Sequence, residues 1–176
     1  MNMPPARTNP TALSDRDSEE RAQYALIFVD WVRSLISGGA PAITSAKQSV
    51  DLVFGGCFVA AAIGQYAADG LITTVGGFFE SVQARVDEGA LTASMCDHDG
   101  EHDAQQNTLI RVLIASVAHI AMDQPTAIEC EASCTDPAYS VALIVNTSLH
   151  DASARTGVTP SSILDSVHSA VQECRH

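Results

Sequence analysis

The sequence predicts an all-α protein, a single bundle of five or six helices. Three observations lead there. Apolar residues recur at three- and four-residue spacing through most of the chain. Glycine doublets, prolines and Ser/Thr/Asp caps fall between the periodic runs. A length of 176 residues with 46% hydrophobic side chains suits one domain with an ample core.

Residues 1–13 carry prolines and threonines between small residues and read as a disordered leader, leaving 14–176 as the folded domain. Ser14 is a plausible N-cap for a first helix over 15–37, which stops at Gly38-Gly39. That helix carries two apolar stripes. Ala22, Ala25, Val29, Val32 and Ile36 form one, and Tyr24, Phe28, Trp31 and Leu35 the other. A helix apolar over so much of its girth is covered on two sides, so one stripe is expected to face the core and the aromatic stripe a partner.

Pro41 suits the first turn of a second helix over 42–54, with an extension to 68 left open by Gly55-Gly56, which either breaks the helix or lets another approach closely. The run 52–64 is the most apolar stretch of the chain, and about 13 residues fall short of the ~20 that span a bilayer, so a buried core segment is expected. A third helix covers 71–88. Its Gly-Gly-Phe-Phe at 76–79 resembles Gly-Gly-Cys-Phe at 55–58 and raises the idea of a duplicated unit. A polar loop follows over 90–104, then a strongly apolar helix over 105–123 that reads as the centre of the bundle, with Arg111, Ala115, His119 and Asp123 as its polar stripe. A second long loop spans 124–136. Asp136-Pro137 opens a helix that ends at Gly157, and Thr159-Pro160 opens the last one. The competing reading of 126–146 is a β-hairpin, which would make the fold α+β. Ala142, Val145, Leu149 and Ala152 favour the helix, because they keep helical spacing beyond the length of a strand.

Charge narrows the function. There are 21 acidic and 9 basic residues, a net charge of −12, and Lys47 is the only lysine. Nucleic acids and anionic membranes draw their affinity from cationic faces that this chain lacks, so a basic protein partner is favoured. The five cysteines are an odd, irregularly spaced set, and no long apolar signal core precedes them, so reduced thiols and a cytoplasmic location are expected.

Two patterns carry chemistry. The first is the loop Cys96-Asp97-His98-Asp99-Gly100-Glu101-His102, joined by Cys130 and Cys134 in the second loop. Thiolate and imidazole together suit zinc, with Cys96, His98 and His102 as core ligands. The two loops flank opposite ends of a 19-residue helix, roughly 28 Å apart, so a joint site needs a loop folded back or an antiparallel dimer. No zinc-finger spacing is present, and a solvated acidic loop running into a helix N-terminus accounts for the same residues. The second is 154–167, Ala-Arg-Thr-Gly-Val-Thr-Pro-Ser-Ser-Ile-Leu-Asp-Ser-Val, which resembles the turn and second helix of helix-turn-helix proteins over about 20 residues. That resemblance implies a DNA-binding regulator, yet Ser161, Ser162, Asp165 and His168 would occupy the reading face without a lysine or arginine. No nucleophile elbow, phosphate loop, HExxH or dinucleotide fingerprint is present, so no catalytic residue or organic cofactor is assigned.

The expected function is therefore a non-enzymatic interaction module, an adaptor, regulator or inhibitor. It would present an acidic surface and act as a homo-oligomer through Tyr24, Phe28, Trp31 and Leu35. A metal-dependent sensor or enzyme built on the 96–102 loop is the second expectation, and a DNA-binding regulator the third.

Overall fold

The computed structural model describes residues 18–39, 43, 45–70, 73–88, 100–124, 126, 128 and 136–173, without the side chains of 18, 46, 100–107 and 136. Six helices and no strand occur among them: α1 (Ser18–Ile36), α2 (Ala46–Gly70), α3 (Val75–Asp87), α4 (Gly100–Ala121), α5 (Asp136–Thr156) and α6 (Pro160–Glu173). The all-α expectation holds. Tyr139 to Asn146 lie inside α5, which removes the hairpin alternative. The proposed leader and its junction at 14–17 lie outside the described residues.

Local chemistry sets the helix ends. Ser45, not the Pro41 segment, starts α2, because its hydroxyl accepts the Gln48 amide at 3.1 Å. Thr74 caps α3 the same way, taking the Gly77 amide at 3.0 Å from an extended backbone. Thr159 accepts the Ser162 amide at 3.3 Å ahead of α6. Gly38 and Gly157 close α1 and α5 at positive φ (82° and 74°), where a Cβ would be strained. α4 ends without a glycine. Asp123 takes the left-handed conformation instead (φ 56°), and the Gln124 amide reaches back to the His119 carbonyl at 2.8 Å.

The centre of the bundle is α2, not α4. α2 touches all five other helices, most extensively α1 and α5. α4 is a flank helix, with Arg111, Val112, Ala115 and His119 exposed on its outer side. Side-chain size explains the difference. α4 carries more Leu, Ile and Val, but the small residues of α2 admit neighbours on every side. Gly55 lies against the Tyr24 backbone of α1, Gly56 against Val141 and the Phe28 ring, and Gly64 against the Phe79 ring. The Gly55-Gly56 doublet thus serves close approach within one unbroken helix. Gly76-Gly77 sits in the first turn of α3, so the two doublets do different jobs and no repeated unit results.

One apolar cluster runs through all six helices, from Ala25 and Phe28 through Leu52, Ile63, Phe78, Ile110 and Leu149 to Ile163. The segment Lys47–Gly70 is long and apolar enough to cross a membrane by length and composition, and 67% of its most apolar window is buried inside this bundle. The helix is thus longer than the 13-residue apolar run read from the sequence, and the other helices of the bundle cover most of its apolar window.

Candidate functional site

Cys96, His98, Cys130 and Cys134 lie outside the described residues. His102 is on α4, because that helix starts at Gly100, five residues ahead of the sequence-based start. Among the described residues no group of three or more His, Cys, Asp or Glu side chains could hold a metal ion.

The aromatic stripe of α1 divides. Phe28 is 0% exposed and Trp31 7%, both packed into the cluster shared with α2 and α5. Their rings stand 5.8 Å apart, and Trp31 meets Tyr139 of α5 at 5.6 Å. The core therefore claims two of the four residues assigned to an interface. Tyr24 and Leu35 are half-buried, and the Tyr24 hydroxyl donates to Glu20 at 3.1 Å. The outer face of α1 instead shows Ile27 at 44% and Ile36 at 57% exposure.

Sequence reasoning missed a polar cluster between α3 and α5. Asp151 is an acidic side chain, yet it is only 1% exposed. Its Oδ1 meets Arg85 Nε at 2.7 Å and its Oδ2 meets Arg155 Nε at 3.0 Å. Ser81 completes the group: its hydroxyl accepts from Arg155 Nη2 at 2.9 Å and lies 3.4 Å from Asp151 Oδ1. Helical spacing builds this cluster. Ser81 and Arg85 are one turn apart on α3, as Asp151 and Arg155 are on α5, so two i,i+4 pairs meet face to face. A buried carboxylate needs such compensation, because an unpaired charge in the interior is costly. The signal in the sequence was faint: Asp151 continues the buried stripe Ile144, Thr147, Ser148 where an apolar residue is expected.

Of the remaining described arginines and the lysine, all but exposed Lys47 are engaged as well. Arg33 of α1 pairs with Asp165 of α6, Arg111 of α4 pairs with Asp87 of α3 at 3.0 Å, and Arg21 lies over the Phe58 ring at 5.6 Å. Exposed Glu19, Asp30, Asp69, Glu80, Glu88, Asp123 and Glu173 have no cation paired with them among the described residues. Pairing thus uses up positive charge at helix contacts and leaves the outside negative.

Asp51, half-buried on α2, is held above its ordinary value of 3.8. Burial pushes it up, Lys47 opposes, and Glu20 adds to the rise. A raised native value means the folded chain holds the proton more tightly than the unfolded one. The stabilisation is present at low pH and is lost as pH rises through the native value. Asp51→Asn is accordingly expected to stabilise the protein at neutral pH, with the gain shrinking as pH falls through the ordinary carboxylate range. Urea midpoints of both proteins at about pH 7 and about pH 4 test this. An equal difference at both would contradict it.

Comparison with protein family models, with curated proteins and with solved structures finds no match to this chain.

Proposed function

We propose that the protein is a non-enzymatic interaction module that offers its acidic surface to a basic protein partner. The observation that supports this most is the fate of the cations. Arg33, Arg85, Arg111 and Arg155 all take part in ion pairs between or within helices, with one positive charge left over where two of them share Asp151, while seven exposed carboxylates stay unpaired among the described residues. Such a surface attracts cationic segments over several ångströms and raises their rate of encounter. Self-association belongs to the same reading. With Phe28 and Trp31 committed to the core, the exposed Ile27 and Ile36 of α1 are the better contact for a second copy.

The test separates a docking face from mere net charge. Binding of an oligo-arginine peptide is measured by titration calorimetry against salt, for the natural chain and two charge reversals. One is Glu19→Lys with Asp30→Lys on α1, and the other Glu80→Lys with Glu88→Lys on α3. A docking face is expected to make one pair lose at least tenfold more affinity than the other. Equal losses, or no binding at low salt, would defeat the proposal. Native mass spectrometry of the same samples gives the subunit count, and a monomer at working concentration removes the oligomeric part.

A further inference from the structure

The geometry points to the Arg85–Asp151–Arg155 cluster as a receptor for a small oxyanion, a phosphate or carboxylate group. Three features of the cluster argue for this beyond its role in joining helices.

First, Asp151 binds both guanidiniums through their Nε atoms, at 2.7 and 3.0 Å. An arginine carries five N–H donors in a rigid fork. The terminal nitrogens of Arg85 and Nη1 of Arg155 have no protein partner among the described residues. Second, those ends reach solvent. The Arg85 and Arg155 side chains are 43% and 37% exposed, while the carboxylate that orients them is 1% exposed. Third, the charges do not cancel. Two arginines share one carboxylate, which leaves a single excess positive charge at a fixed place on an otherwise negative chain. Elsewhere among the described residues each paired arginine has an acid of its own.

Planar bidentate donors suit the geometry of carboxylate and phosphate. Holding both forks from behind means little side-chain freedom is left to lose on binding. Ser81 locks the Arg155 fork further, at 2.9 Å. Exposed and unpaired Glu88 lies one turn beyond Arg85 on α3 and sets a limit on affinity, so binding is expected in the millimolar range. This site would act separately from the acidic surface, since it recognises the opposite charge.

The experiment follows thermal unfolding of the full chain in sodium phosphate, sodium acetate and sodium chloride at equal ionic strength. A saturable rise in Tm of roughly 3–6 °C at about ten times Kd is expected in an oxyanion but not in chloride. Arg85→Gln should abolish the rise, and Arg111→Gln, which alters a pair elsewhere, should keep it. A response to phosphate alone assigns the phosphoryl group, and a response to both anions assigns the wider class. An equal rise in Arg85→Gln would show general salt exclusion and overturn the inference. So would the absence of any rise. Should Arg85→Gln fail to fold, phosphate titration of the natural chain by nitrogen-15 NMR decides. The Arg85 and Arg155 Nε–H signals should move while that of Arg111 stays, and no selective movement refutes the site.

Discussion

Gly55→Ala is expected to destabilise the protein by about 3 kcal/mol, although alanine is the better helix former. In an open helix the exchange would gain up to ~1 kcal/mol. Here the new methyl would run into the carbonyl carbon and oxygen of Tyr24, and the Phe28 Cβ lies within 3.0 Å of its position. Backbone atoms cannot turn aside as a flexible side chain can. α1 would have to move away from α2 as a unit and loosen its most extensive contact. Overpacking of a well-filled interface typically costs 1–3 kcal/mol, and a clash with main chain belongs at the upper end. Gly76→Ala is the control. Its added methyl would meet only the Thr74 hydroxyl, at 4.0 Å, so propensity should prevail and stability should rise slightly. Thermal unfolding separates the two, since ~3 kcal/mol corresponds to roughly 6–12 °C in a domain of this size. Similar Tm values for the two variants would show that α1 and α2 are not packed as closely as the structure has them.

The same glycine shows what was and was not legible in the sequence. Local signals translated well. Pro137, Gly157 and Thr159-Pro160 mark the ends of α5 and α6, and the spacing of Ala142, Val145, Leu149 and Ala152 places them on buried faces of α5. Caps and periodicity act within a turn or two, so they are written in neighbouring residues. The identity of the central helix is not local. It depends on which helix lets others come near, and hydrophobic size gives the wrong ranking. α4 offers more Leu, Ile and Val, whereas Gly55, Gly56, Ala60, Gly64 and Ala67 give α2 its access. The Phe28–Trp31 stripe failed for a related reason. An apolar stripe states that something covers it, and α2 and α5 of the same chain are as good a cover as a second subunit.

The polar cluster was less legible still, because its members lie far apart in sequence. Ser81 and Asp151 are 70 positions apart and Ser81 and Arg155 are 74. Each taken alone resembles an ordinary surface residue. Only the α3–α5 contact turns four scattered polar side chains into a network, and only burial makes the carboxylate matter.

Asp151→Ala should accordingly be the costliest single polar substitution, at about 2–3 kcal/mol. Losing one partner of a buried ion pair commonly costs 3–5 kcal/mol, since the other charge is stranded. The stranded groups here are guanidiniums with 43% and 37% exposure, so they can turn toward water and recover part of that loss. Arg85→Gln and Arg155→Gln should each cost less, because the remaining arginine still compensates the carboxylate. The two arginines are coupled through it, so the double substitution should exceed the sum of the singles: it leaves a carboxylate at 1% exposure with no cation beside it. Urea unfolding of the four proteins forms a double-mutant cycle. An additive result would mean that Asp151 is hydrated in solution and that the α3–α5 contact opens there. A synergistic loss would fix the cluster as the polar clasp between those helices, on which any anion site at its outer edge depends.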